Sequence, residues 1–125
     1  MLGSHPIHPV LLSTDLEASR SFYHDKLGLE IVVERDDAIE FRSGGTKLAV
    51  TKSTTGTSDS QTQIGWDVDD LEAELDELRK RGVVIEEYDM PGLKTEHGIA
   101  DFGFALMAFI IDPSKNALSI LQQKD

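Results

Sequence analysis

The chain has 125 residues, no cysteine, and 23 acidic against 12 basic residues, which gives a formal net charge of −11. This length suits one domain with a substantial core, and the lack of cysteine excludes disulfides, thiol nucleophiles and cysteine-ligated metals. The charge argues against nucleic acid or an anionic membrane as a partner, because phosphate binding needs clustered Lys and Arg. It would favour a cationic ligand, although an acidic surface that keeps the protein in solution is the simpler explanation.

No stretch of the sequence approaches the roughly 18 apolar residues of a membrane-spanning helix, and the first residues lack the apolar core of a signal peptide. Together with the missing cysteine, these features predict a cytoplasmic protein.

The first half of the chain predicts a strand, a helix and three more strands. Residues 7–13 have strand-like spacing, and Thr14 with Glu17 forms a capping box that starts the helix. Gly28 can adopt the left-handed conformation that ends this helix. Short β-branched and alternating runs then predict strands at residues 30–35, 38–42 and 46–52.

The second half repeats this order. The sequence Asp-Leu-Glu-Ala at residues 15–18 returns at residues 70–73, each time at the start of a helical pattern, and Asp69 is the predicted cap of the second helix. Further strands are predicted at residues 61–68, 83–88, 104–111 and 117–122. We therefore predict an α+β fold in a single domain, residues 1–125, with module one at 6–52, a polar linker at 53–60 and module two at 61–123.

Residues 89–103 break the repeat, because the corresponding turn in the first half is only Asp36-Asp37. Long irregular loops in compact domains are often binding loops or lids. Gly92 and Gly98 could be hinges of such a lid, and Glu96, His97 and Asp101 could supply acid or base groups. A solvated surface loop is the simpler alternative.

Several motifs together resemble the vicinal oxygen chelate superfamily, which includes glyoxalase I, bleomycin-resistance proteins and extradiol dioxygenases. The motifs are His8, residues 15–17, Phe22-Tyr23 and Leu27-Gly28, then residues 68–72, Asp112-Pro113 and Asn116. The resemblance implies two βαβββ modules that form a cup-shaped mixed sheet around a small-molecule site. Active members hold a divalent metal in the cup, and many members are dimers, so a homodimer is expected.

The resemblance also implies where metal ligands would lie, on the first and fourth strands of each module. These positions carry His8, Ala49, Gln63 and Ser119. Alanine cannot bind a metal and serine binds poorly at neutral pH, whereas a catalytic metal needs about three protein ligands. We therefore predict no metal and no other cofactor, with these four residues in contact with the ligand instead.

Further residues complete the predicted site. Gly65 would leave room for a ligand, and Phe104 and Met107 would line the cup, although both could equally be ordinary core residues. His8 and His97 are the candidates for acid–base catalysis. Trp66 is expected to belong to the core.

Two functions follow, and the sequence leaves both open. The first is a metal-free protein that binds a small molecule, such as an antibiotic or another cationic or aromatic compound. The alternative is a metal-dependent lyase, isomerase or dioxygenase whose ligand set has been rearranged to include Glu96, His97 or Asp101. A non-catalytic dimeric scaffold is a third reading.

Overall fold

The computed structural model describes residues 1–124 and contains two four-stranded sheets and one short hairpin. Sheet I has the strand order β1-β4-β3-β2, formed by β1 (Val10–Ser13), β2 (Glu30–Glu34), β3 (Ala38–Ser43) and β4 (Thr46–Lys52). Sheet II has the order β5-β10-β9-β8, formed by β5 (Thr62–Asp67), β8 (Ala100–Asp101), β9 (Ala105–Ile111) and β10 (Ala117–Gln123). The hairpin pairs β6 (Asp89–Met90) with β7 (Leu93–Lys94). The predicted α+β class is confirmed.

Each sheet combines one parallel pair with antiparallel ladders. In sheet I, β1 runs parallel to β4, while β3 is antiparallel to both β2 and β4. In sheet II, β5 runs parallel to β10, and β9 is antiparallel to both β10 and β8. Within residues 1–124, no strand of one sheet pairs with a strand of the other, so both sheets remain open.

The first helix begins one residue later than the capping-box pattern predicts. Helix α1 (Leu16–Arg20) is capped by Asp15, whose carboxylate accepts from the Ala18 amide at 3.1 Å. Thr14 lies one residue before the cap, and its amide and its hydroxyl both contact Ser114 Oγ. A π-helical turn (Ser21–Lys26) follows, and Gly28 ends it with a φ of +80°.

The second helix repeats the same local chemistry. Helix α2 (Leu71–Lys80) is capped by Asp70, not by the predicted Asp69, and the Asp70 carboxylate accepts from the Ala73 amide at 3.1 Å. The predicted apolar stripe of Leu71, Leu75 and Leu78 is buried. No helix in the described part of the chain has the length and apolar character needed to span a membrane.

The predicted strand at residues 83–88 is wrong. This segment makes a backbone hydrogen bond from the Glu86 amide to the Phe109 carbonyl, at 2.9 Å, but it forms no strand. At Tyr88 the amide donates to Thr95 Oγ1 at 2.8 Å, while the ring packs on Phe109 of β9. The short strand β8 takes the place beside β9 instead, so module two departs from the simple βαβββ order.

One hydrophobic core is shared by both modules. It combines the inward faces of both sheets with the apolar sides of the helices, including Leu11, Phe41 and Val50 of sheet I and Ile110 and Leu118 of sheet II. Since side chains alternate along a strand, the positions between these residues point away from the core. We call these opposite surfaces the outer faces of sheet I and sheet II.

A buried polar cluster joins the modules. Asp112 accepts hydrogen bonds from the Tyr23 hydroxyl at 2.5 Å, from the amides of Ser114 and Asn116, and from the Asn116 side chain at 2.9 Å. Asn116 Nδ2 also donates to the Leu12 carbonyl at 2.8 Å. Because every one of these buried groups has a partner, the cluster fixes the two modules against each other.

Candidate functional site

The outer face of sheet I holds two of the predicted site positions. The parallel ladder pairs Val10 with Ala49, and the β3–β4 ladder pairs Ala49 with Glu40. Val10, Ala49 and Glu40 therefore form one row across three strands. The Ala49 amide donates to the Pro9 carbonyl, so the parallel ladder continues toward His8, which is exposed.

Glu40 is the residue of this face that the sequence reasoning missed. Its side chain is 21% exposed and lies 3.5 Å from Lys47 Nζ and 4.0 Å from Arg35 Nη1. The turn at Gly44 and Gly45 pairs Ser43 with Thr46, and this register puts Glu40 directly opposite Ala49. The register of a short hairpin can be counted from its turn, so the position of Glu40 opposite Ala49 could have been predicted from the sequence.

Apolar side chains that are open to solvent flank the Ala49–Glu40 pair. Val10 is 53% exposed, Leu12 is 39% exposed and Val32 is 43% exposed. Val32 lies at a bulge in β2, where the ladder with β3 shifts between Ile31 and Val33. Val10 and Leu12 lie on β1 and Val32 on β2, so exposed apolar side chains occur at both edges of the sheet. Exposed apolar surface of this kind is characteristic of a surface that binds another molecule.

The outer face of sheet II carries a second row of predicted residues. Ser119 lies between Gly65 on β5 and Phe109 on β9. The Tyr88 ring packs edge-on against Phe109, with ring centroids 5.6 Å apart, and Met107 lies two residues along the same strand face. Burial and the negative charges of Glu86 and Asp59 raise the pKa of Tyr88, so its hydroxyl stays protonated at neutral pH.

Gly65 is exposed and lines a crevice between the modules, and its missing side chain also makes room for Ser119. A Cβ added at Gly65 would lie 2.4 Å from Ser119 Oγ. Gln63 is exposed and lies at a bulge, where β5 carries one extra residue opposite Ala117 and Leu118. The ladder irregularity beside Gln63 could not be read from the sequence pattern.

Phe104 does not line the cup. It lies outside β9, in the turn after β8, with its side chain 68% exposed and its carbonyl accepting from the Lys124 amide. The alternation that the sequence predicted for this strand begins only at Ala105.

His97 lies on the helix side of module two and not with His8. Its backbone has a φ of 52°, and its carbonyl accepts from Arg79 of α2 at 2.8 Å. The carboxylate near His97 is that of Glu87, and the sequence did not predict Glu87 as a partner of His97. The Asp101 carboxylate accepts hydrogen bonds from the Gly103 amide and from Lys124, and these contacts, in that order, lower the pKa of Asp101.

Residues 89–103 do not form a free lid. Glu87 Oε1 accepts from Thr95 Oγ1 at 2.7 Å and from the Gly98 amide at 2.6 Å. These two hydrogen bonds, in that order, lower the pKa of Glu87. A Cβ at Gly98 would lie 2.5 Å from Ile85 Cγ2, and Gly92 sits in the turn of the β6–β7 hairpin. The predicted hinge glycines therefore occupy fixed turns.

The chemistry of the four ligand positions does not suit a divalent metal. His8 offers an imidazole and Gln63 a neutral amide oxygen, but Ala49 offers only a methyl group. Ser119 offers a hydroxyl that is buried against Gly65. Within residues 1–124, no three His, Asp or Glu side chains lie close enough to hold a metal, so the rearranged ligand set is not assembled in one chain.

Two crevices occur where β5 meets the β3–β4 turn. One has a volume of about 270 Å³, the other about 450 Å³, and Trp66 lines both. Trp66 Nε1 donates to Ser43 Oγ at 2.8 Å, and the ring packs against the shared core, so it links the modules as well as filling the core. Neither crevice is lined by His8, Ala49 or Gln63.

The fold agrees with the comparisons. A family model described as the Glyoxalase/Bleomycin resistance protein/Dioxygenase superfamily matches residues 5–120. The chain therefore belongs to this superfamily, and the resemblance seen in the sequence motifs is confirmed. No curated protein matches the chain.

Solved structures with the same fold share little sequence with this chain. A glyoxalase/bleomycin resistance protein/dioxygenase from Alicyclobacillus acidocaldarius is 21% identical with a TM-score of 0.75, over 97% of this chain and 92% of that one. A lactoylglutathione lyase from Agrobacterium tumefaciens is 20% identical with a TM-score of 0.69, over 95% and 93%. The fosfomycin resistance protein FosX from Listeria monocytogenes is 11% identical with a TM-score of 0.74, over 96% and 93%. At these identities the likeness extends to the fold alone.

Proposed function

We propose that this protein binds an apolar or aromatic small molecule without a metal, using the outer faces of both sheets as walls. The observation that carries the proposal is the exposed apolar surface of Val10, Leu12 and Val32 around the Ala49–Glu40 pair. In a protein with a shared core on the other side of the sheet, these positions have no structural need to be apolar.

The loss of metal-ligand chemistry at Ala49 and Ser119 supports binding rather than metal-dependent catalysis. The aromatic pair of Tyr88 and Phe109, with Met107 beside it, suits a planar guest. We place this function in the cytoplasm, as the composition predicts.

We further propose that the complete site forms between two copies of the chain. Within residues 1–124 the two sheets share no strand pairing, and the row at Ala49 and the row at Ser119 lie on different sheets. β1 and β5 are edge strands, each hydrogen-bonded to one neighbouring strand, and an open edge is ready to meet another strand. A symmetric homodimer would bring sheet I of one copy toward sheet II of the other.

The binding test uses a neutral aromatic probe, 1-naphthalenemethanol, titrated by calorimetry. We expect saturable binding that Ala49→Trp abolishes by filling the face of sheet I. Ala73→Trp, on the exposed surface of α2, is the matched control and should bind as the parent does. Probe binding that Ala49→Trp leaves unchanged would refute this site.

The metal test is separate. Protein dialysed against trace zinc, nickel and iron is expected to retain far less than one metal per chain by mass spectrometry. Retention of about one equivalent, lost in His8→Ala, would overturn the metal-free proposal.

One observation favours the second candidate, a metal-dependent lyase, isomerase or dioxygenase. Glu40 lies directly opposite Ala49, on the same face, and could replace the carboxylate that Ala49 lacks. Metal binding by Glu40 is less favourable because Glu40 forms ion pairs with Lys47 and Arg35, and a metal would have to displace both cations. Metal-dependent turnover of a 2-oxoaldehyde–thiol adduct or a catechol, lost in Glu40→Gln, would establish this candidate instead.

A further inference from the structure

The Ser119 hydroxyl is a nearly buried polar group that has no hydrogen-bond partner within residues 1–124. Ser119 is 6% exposed, and its hydroxyl takes part in none of the side-chain hydrogen bonds of this part of the chain. Every polar side-chain atom that is sealed from solvent there has a partner, so the Ser119 oxygen must reach the surface. Buried hydroxyls are normally paired, and this one is available to a bound molecule.

The Ser119 hydroxyl points to the outer face of sheet II. Leu118 and Ile120, its neighbours on β10, both belong to the core, and side chains alternate along a strand. Gly65 lies opposite Ser119 on β5 and has no side chain to cover the hydroxyl. Ser119 therefore presents a hydrogen-bonding group on an inner strand of the sheet, between β5 and β9.

Aromatic side chains continue the row that begins at Ser119. Phe109 lies opposite Ser119 on β9, and the Tyr88 ring packs edge-on against Phe109. Neighbouring strands lie about 4.8 Å apart, so a flat ring on Phe109 reaches the Ser119 hydroxyl on the next strand. A ligand that covers this face displaces solvent from the hydroxyl, and it loses affinity unless it supplies a hydrogen bond in return.

The surroundings of Ser119 favour a neutral group as the partner of its hydroxyl. Gly65 and Phe109, its cross-strand neighbours, carry no charge, so an ion placed there would lose its hydration without gaining a counterion. The nearest charges that act on this row are the carboxylates of Glu86 and Asp59, which raise the pKa of Tyr88 after burial has done so, and they repel an anion. A buried donor without a partner is rarer than an acceptor with a spare lone pair, so the group that best completes Ser119 is an acceptor.

We infer that the ligand of this face is a neutral, planar aromatic compound with a carbonyl oxygen that accepts a hydrogen bond from the Ser119 hydroxyl. The inference rests on the proposed function and specifies the class of its ligand. The aromatic ring lies on Phe109, beside Tyr88, and the carbonyl group is at the edge of the ring that faces β10. Aromatic ketones and aldehydes have this chemistry. The assignment differs from the cationic guest that the net charge of −11 favours.

The test measures, by equilibrium dialysis, the affinities of four naphthalenes that differ in one flat substituent. 2-Acetylnaphthalene carries the carbonyl group, 2-isopropenylnaphthalene has the same shape without the acceptor, 2-naphthoate is the anion and 2-naphthamidine is the cation. We expect the ketone to bind more tightly than either ion. The ratio of ketone affinity to alkene affinity should fall about tenfold in Ser119→Ala, because the variant has no hydroxyl to donate to the ketone or to be left unpaired under the alkene.

The control is Ser21→Ala, which removes an exposed hydroxyl from module one and should leave the ratio unchanged. Binding of the ketone and the alkene with a ratio that Ser119→Ala does not change would overturn the inference and leave the proposed function standing. Equal or tighter binding of either ion than of the ketone would overturn it in the same way, as would a fall of the ratio in Ser21→Ala as large as in Ser119→Ala. Failure of all four probes to bind would overturn the proposed function, and the inference with it.

Discussion

Replacing Tyr23 by phenylalanine removes one hydroxyl from the cluster that joins the modules. The side chain is fully buried, and its hydroxyl donates to Asp112 at 2.5 Å. A hydrogen bond to a charged group contributes about 1.5–3 kcal/mol. In the variant, the Asp112 carboxylate still accepts hydrogen bonds from Ser114 and Asn116. We therefore expect Tyr23→Phe to lower the free energy of unfolding by about 2 kcal/mol at pH 7, a fall in Tm of roughly 6–10 °C.

The pH dependence separates this hydrogen bond from a simple packing loss. Burial, and then the charge and hydrogen bond of Asp112, raise the pKa of Tyr23 far above its ordinary value of 10.0. Above pH 10 the unfolded chain releases this proton while the folded protein keeps it, so the wild-type protein loses stability as the pH rises. Phenylalanine has no ionisable hydroxyl, so the Tyr23→Phe variant lacks this loss of stability. The gap between the two proteins should narrow by about 1.4 kcal/mol per pH unit above pH 10.

The assay is urea unfolding at pH 7, 10 and 11, followed by Trp66 fluorescence. Tyr88→Phe is the matched control, because it also removes one hydroxyl but keeps the ring contact with Phe109. This change should lower the free energy of unfolding by well under 1 kcal/mol. The reasoning is refuted if Tyr23→Phe is no less stable than Tyr88→Phe at pH 7. It is equally refuted if the gap to the wild-type protein stays constant up to pH 11.

Three further changes test separate features. Lys115 has a φ of 70°, a left-handed backbone that favours glycine, so Lys115→Gly should raise the free energy of unfolding by about 1 kcal/mol, whereas Lys115→Ala should not. Gly65→Ala should cost about 1–3 kcal/mol because the new methyl group meets Ser119 Oγ, and adding Ser119→Ala should restore most of that loss in a double-mutant cycle. Because the hydrogen bonds from Thr95 and Gly98 lower the pKa of Glu87, the bond to the Gly98 amide is fully present above the ordinary glutamate pKa of 4.5 and is lost as the pH falls through the lowered pKa of the folded protein. The protection factor of the Gly98 amide against hydrogen exchange should fall over that range and, at neutral pH, in Glu87→Gln.

Much of the fold could be predicted from sequence because local patterns and tertiary structure agree. The glycine at residue 28 ends the first helical segment, and the turn at residues 44–45 joins the two strands that the alternation predicts. The family resemblance was visible because residues of both modules, from His8 to Asn116, occur in one order. The family match over residues 5–120 bears out that reading.

The rest depends on contacts between residues that are distant in the chain. Residues 83–88 have the alternation of a strand, yet only the Glu86 amide bonds to β9, and the Tyr88 amide donates to Thr95 instead. Thr14 and Asp15 can both cap a helix; in the structure Asp15 accepts from the Ala18 amide while the Thr14 hydroxyl faces Ser114. In the site, Glu40 could have been found by counting the hairpin register. The positions of His97 and Phe104 could not, because they depend on contacts with Arg79 and Lys124.

The polar cluster between the modules has a consequence for biosynthesis. Leu12 receives its hydrogen bond from Asn116, and the amide of Thr14 donates to Ser114, so each partner is separated by 100 residues or more along the chain. A ribosome must have translated past residue 116 before these contacts can form. Until then the first module lacks these partners, so the time needed to translate residues 15–116 sets how long its polar groups are open to chaperones and proteases.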